Sequence, residues 1–149
     1  MISRRRCLAA AAGILLSHGM QSTVGTAARA AEDWSGLQVQ VGTYAHDTGL
    51  FERGMIAGEL KALLGRKYRV FIDNMNVKSP LERDGVMLYA SGNAPHSGGH
   101  DGAYIIIDTK RQAIEVGIWE AKRFRVYRTR NIKFRKPADI VSMIEFYGQ

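Results

Sequence analysis

One cysteine, Cys7, is all the thiol that 149 residues contain, which excludes an intrachain disulfide framework. Long apolar runs are missing too. The longest near the start, Ala9 to Leu16, is about eight residues, whereas a membrane-spanning helix needs about 20. No stable membrane anchor is expected. There are no repeats and no low-complexity linker. Nothing resembles a nucleophile elbow or a Cys-His pair, and the acidic residues are scattered rather than paired. Ser91, Ser97, His96 and Asp101 are the right types for a hydrolytic triad, but no motif arranges them. An enzyme is therefore not expected, and no cofactor is implied.

What the first thirty residues do contain is a leader. Ser3-Arg4-Arg5 with Leu8 has the look of a twin-arginine export signal. A charged start, a short apolar middle and the exit Ala28-Arg29-Ala30 complete it. Cleavage is expected near Ala30, with Thr26-Ala27-Ala28 as the alternative site and a general secretory signal as the alternative route. Residues 31–149 are then a single periplasmic domain, long enough to bury a core without staples. Its lack of cysteine suits a protein that folds in the cytoplasm before export. Four of the 21 basic residues leave with the leader and none of the 14 acidic ones do, so the net charge falls from +7 to +3.

That remaining charge is uneven. Lys122, Arg123, Arg125, Arg128, Arg130, Lys133, Arg135 and Lys136 crowd one segment without an acid among them. Arg123, Arg125, Arg128 and Arg130 are candidates for contact with a polyanion or glycan, against the plain reading of a solvated strand face. Export argues against nucleic acid.

Periodicity places the elements. Leu37, Val39 and Val41 alternate and suggest a short edge strand. Thr48 is a candidate cap for a helix over 49–64, with Gly65 as its stop. A second helix is expected over 66–75, ending around Asn74 and Asn76, followed by a turn at Ser79-Pro80. From Gly85 the period becomes two. Strands follow around Val86–Ala90, Ala103–Ile107, Ile114–Trp119 and Phe124–Tyr127, and a helix over 138–146 follows Pro137. The fold class is α+β, with an antiparallel meander of four or five strands and helices packed against it. Tyr89, Tyr104, Trp119 and Tyr127 read as one face of the core, with a sugar-binding groove as the alternative.

The informative segment is the loop over 92–102. It is long for a hairpin connection, and long loops on rigid sheets tend to carry function. Pro95 fixes its own backbone, and Gly98, Gly99 and Gly102 permit unusual angles. His96, His100 and Asp101, with His46 or Asp108, are types that bind metals. A Gly-Gly between the histidines leaves such ligands on a loop, so no metal is expected.

Leu63-Leu64-Gly65 through Tyr68, Phe71, Asn74-Met75 and Val77 to Pro80-Leu81-Glu82, then Gly85-Val86-Met87, Ser91-Gly92, Pro95-His96 and Gly99, resemble the inhibitor of vertebrate lysozyme (Ivy) family. The resemblance covers roughly residues 50–120. It implies a periplasmic α+β protein, often a homodimer, that blocks c-type lysozymes by inserting a loop into the active-site cleft. In that family loop, Cys-Lys-Pro-His-Asp-Cys, the histidine meets the catalytic carboxylates. Pro95 and His96 match. The cysteines fall on Asn93 and Gly98, the lysine on Ala94 and the aspartate on Ser97. Asn93, Pro95, His96, Ser97, Gly98 and His100 are accordingly the candidate partner-binding residues. The loop disulfide is absent, and such a constraint is often worth about 2–4 kcal/mol. The implied chemistry is an imidazolium donating from both nitrogens between two carboxyl groups about 5 Å apart. Such inhibition weakens as pH rises and the ring loses its proton.

Overall fold

A computed structural model describes residues 33–97 and 100–148. The leader, its cleavage positions near Ala30, and Gly98 and Gly99 lie outside the described residues.

The chain begins with a 3-10 turn, Trp34–Gln40, where an edge strand was expected at Leu37–Val41. The reason is burial. Trp34 and Leu37, three apart, are in the core, whereas Val39 and Val41 are exposed. A spacing of three suits the 3-10 repeat, not a strand. Helix α1 is a single turn, Ala45–Thr48, closed by Gly49 in the left-handed region. Thr48 therefore ends a helix instead of starting one, and its hydroxyl bonds back to Ala45. Leu50 and Phe51 are buried from a turn, and α2 runs only over Gly54–Leu64. Gly65 ends it at positive φ, as expected. Helix α3, Lys67–Asn74, follows almost at once and stops at Asn74. The last helix, α4, is Ala138–Tyr147.

Six antiparallel strands form one sheet: β1 Val77–Lys78, β2 Glu82–Asp84, β3 Met87–Asn93, β4 Gly102–Asp108, β5 Ala113–Glu120 and β6 Arg123–Arg128. The order is β1-β3-β4-β5-β6, with β2 also paired to β3. Strands β3 to β6 are the expected meander, and β1 and β2 are short additions along the outer edge of β3. The α+β class holds.

The sheet is covered on both faces. One face carries Leu88, Ala90, Ile105, Ile107, Ile114, Val116 and Ile118 against α2, α3 and the N-terminal turns. Each such leucine, isoleucine or valine side chain fully removed from water contributes about 1.5–3 kcal/mol. The other face carries Met87, Tyr89, Tyr104, Ile106 and Trp119 beneath α4 and Phe134. Strand β4 is consequently buried along its whole length. Tyr89, Tyr104 and Trp119 share that second core. Tyr127 pairs with Val116 and packs with the first core, so the four aromatics do not form one face.

Two glycines are fixed by close approach. A Cβ on Gly117 would lie 2.1 Å from the Tyr104 ring. One on Gly92 would lie 2.9 Å from the Val77 carbonyl oxygen. Both strands admit only hydrogen there.

Candidate functional site

The pairing of β3 with β4 runs unbroken from Met87↔Asp108 to Asn93↔Gly102. The connection 94–101 therefore stands on a rigid two-stranded base. Its neck is narrow and clamped. The Asn74 side chain, 3% exposed, donates one amide bond to the Gly102 carbonyl at 2.9 Å and another to the Trp119 carbonyl at 2.7 Å. The neck is thus tied to the C-terminal end of α3. Gly102 is not at positive φ. It is small because a Cβ there would sit 2.7 Å from the Tyr147 hydroxyl.

Above the neck, the Ala94 N–H donates to the Asp101 carbonyl at 3.0 Å. Ala94-Pro95-His96-Ser97 then turns. The Ser97 N–H reaches the Ala94 carbonyl at 3.4 Å, and the Ser97 hydroxyl donates to the same oxygen at 2.9 Å. Pro95 occupies the second position of this turn, and His96 the third with φ 59°. Proline followed by a positive φ is the pattern of a type II β-turn, whose third position favours glycine or asparagine. Holding a histidine there costs about 1–2 kcal/mol. Both Pro95 and His96 are exposed. The histidine sits at the corner of a hydrogen-bonded turn, with its ring in solvent.

The other leg is anchored as well. The Asp101 carboxylate accepts the Ala121 N–H at 3.1 Å, which joins the loop to the β5–β6 turn. Tyr147 lies beside it, and its hydroxyl is held above the usual tyrosine range first by burial and then by the Asp101 charge. Asn93 is half-buried at the end of β3 and points its amide at the Ala94 carbonyl, 3.3 Å away. His100 is exposed on the returning leg. Gly98, where a family cysteine falls, is outside the described residues.

The metal candidates are not gathered. His46 is on α1 and pairs with Asp47 at 3.0 Å. Asp108 is at the far end of β4, where it accepts the Lys110 and Arg111 N–H groups. Among the described residues no cluster of three or more His, Cys, Asp or Glu is placed to hold an ion. Ser97 is spent on the turn rather than on a histidine.

The basic segment divides between the two faces of β6. Arg128 contacts Glu115 at 3.4 Å, Lys136 contacts the same carboxylate at 2.9 Å, and Arg135 pairs with Asp84. Arg123 and Arg125 alternate onto the opposite face, beside Lys67. Arg130 lies past the strand and is exposed. The four arginines proposed from sequence do not line one surface.

Sequence reasoning did not find Asn74 as a clamp, nor Asp101 as a tether. Their signal was present only as a polar residue ending a helix and an acid ending a loop.

The site is thus an exposed imidazole on a short, internally braced turn, carried by an α+β domain. The family model described as inhibitor of vertebrate lysozyme (Ivy) matches residues 55–146, from α2 to α4. The chain belongs to that family. Membership supports a lysozyme-inhibitor role in general, with a lysozyme as protein partner. Neither the curated proteins nor the solved structures yield a match. Among the described residues no helix is long and apolar enough to cross a membrane.

Proposed function

We propose that this chain is a periplasmic inhibitor, exported through its twin-arginine leader, that inserts the 92–102 loop into the cleft of a c-type lysozyme or related glycosidase. His96 is the central contact. Its imidazole bridges the two catalytic carboxyl groups, which a retaining glycosidase holds about 5 Å apart. The observation that carries this reading is the solvent-exposed His96 at φ 59° on the corner of a braced turn. Backbone strain persists only where surrounding structure enforces it, and it concentrates at ligand clamps.

The missing covalent clasp has a non-covalent substitute. Ser97 closes the turn through its hydroxyl, Ala94 and Asp101 pair across it, and Asp101 is tied to Ala121. These bonds lower the ordering cost of binding in the same sense as a disulfide, though by less.

The test is a cell-lysis assay with a c-type lysozyme. Micromolar protein is expected to inhibit, His96→Ala to weaken inhibition at least about a hundredfold, which corresponds to about 2.8 kcal/mol. Ser97→Ala should cost a smaller factor, about tenfold. Absence of inhibition by the unaltered protein, or equal potency of His96→Ala, would sink the reading.

A further inference from the structure

A cavity of about 400 Å³ opens between the start of α3 and the β5–β6 hairpin. Its volume is in the range of small-ligand sites. Lys67 from α3, Arg123 and Arg125 from β6, Glu120 from β5 and the Tyr127 ring line it over a floor formed by Ile118. The charges do not balance. Glu120 is the one acid, and its carboxylate is taken by Lys67. Arg123 and Arg125 are two residues apart on one face of a strand, about 7 Å by strand geometry. They have no ion-pair partner among the described residues.

Part of the basic segment behaves differently. Arg128, Lys136 and Arg135 each face a carboxylate, and Arg111 faces Asp108. The second charged hollow, at Asp84, Asp108, Arg111, Lys133 and Arg135, contains its own acids. The two arginines of the α3–β6 cavity differ from these paired neighbours in having, among the described residues, no acid of their own. Arginine forks match planar or tetrahedral oxyanions bidentately. Tyr127 is half-buried, and its hydroxyl makes no hydrogen bond among the described residues, so it adds a free donor. Ile118, 2% exposed, supplies an apolar wall for the body of a ligand.

We propose that this cavity binds the oxyanion group, carboxylate or phosphate, of a small ligand, with Arg123 and Arg125 as the fork and Tyr127 as a third donor. The site shares Ala121 with the tether of the His96 loop but none of the turn residues 94–97, and it stands whether or not the chain inhibits a lysozyme.

The experiment is an NMR titration of the ¹⁵N-labelled protein with inorganic phosphate, pyrophosphate and glutarate at constant ionic strength. Saturable shifts of the Lys67, Ile118 and Tyr127 amides are expected at millimolar anion. Tighter binding of pyrophosphate than glutarate assigns a phosphorylated ligand, and the reverse order assigns a carboxylated one. The double substitution Arg123→Gln, Arg125→Gln should weaken binding at least about tenfold. Arg130→Gln, exposed and outside the cavity lining, should leave it unchanged. Both variants replace exposed side chains, and matching amide spectra would verify that they fold. No saturable shift at about 10 mM anion, or equal weakening by Arg130→Gln, overturns the proposal.

Discussion

The molecule handles its polar groups in opposite ways at two places. At the middle of β5, Glu115 is 0% exposed. Tyr104 donates to it at 2.9 Å, Lys136 approaches the same oxygen at 2.9 Å, and Arg128 approaches the other at 3.4 Å. The Tyr104 hydroxyl is pushed far above the usual range by burial first and then by that carboxylate. At the tip of the 94–101 loop, His96 faces solvent in a strained backbone conformation. The buried acid is surrounded by partners from β4, β6 and the segment before α4. The exposed base has its neighbours braced, and among the described residues its ring has no hydrogen-bond partner. A titratable residue whose partners are all internal serves the fold. One whose supports are internal but whose functional atoms face outward is available to a partner.

Glu115→Ala is the most severe way to probe this contrast. Removing one member of a buried ion group leaves the others uncompensated and costs about 3–5 kcal/mol. Lys136 and Arg128 are partly exposed and regain some hydration, so the expected loss is at the lower end, about 3 kcal/mol. Urea denaturation measures it. Inhibition per folded molecule should not change. A loss under about 1 kcal/mol would show that Glu115 is tolerated rather than used, and the contrast would collapse on that side.

Asn74→Ala tests the bridge between fold and loop. The buried Gly102 and Trp119 carbonyls would each lose a donor, for a cost of about 2 kcal/mol. Unlike Glu115→Ala, this change frees the loop neck, so inhibitory potency should fall along with the denaturation midpoint. Stability lost with potency intact would mean that the neck does not need its clamp.

Much of this was legible in the chain and some of it was not. The change from a period of 3.6 to a period of 2 at Gly85 is a local pattern, and the helices ending at Gly65 and Asn74 and the four long strands follow from it. The second core was hidden. A strand buried on both faces has no alternation to read, and the run Ala103–Ile107 is such a strand. The early strand assignment at Leu37–Val41 failed because apolar alternation on three residues says nothing about which of them the core can reach. At the site, Pro95 and His96 were visible as a pair, and the family resemblance supplied the role proposed for them. The positive φ at His96 was not visible, because glycine is the usual marker of that conformation and it is absent there. The Asn74 bonds span 28 and 45 residues of sequence and leave no local trace.

The mildest substitutions sharpen the contrast most. Two turns at the same end of the sheet carry non-glycine residues at positive φ: His96 at 59°, and Ala121 and Lys122 at 49° and 62°. The second is the two-residue connection between the paired Glu120 and Arg123, a geometry that favours Asn-Gly. Ala121→Asn with Lys122→Gly should relieve strain and raise stability by about 1 kcal/mol. His96→Gly should do the same at the loop tip, by up to about 1 kcal/mol. Thermal or urea unfolding would therefore move both variants in one direction. Inhibition should separate them: unchanged in the 121–122 variant, which keeps the Ala121 N–H bond to Asp101 through the Asn backbone, and lost in His96→Gly. Strain kept at a place where its removal improves the fold but abolishes binding is strain maintained for the partner. If both variants inhibited equally, the conformation of His96 would be no more than the geometry of a tight turn, and the distinction between the two regions would rest on exposure alone.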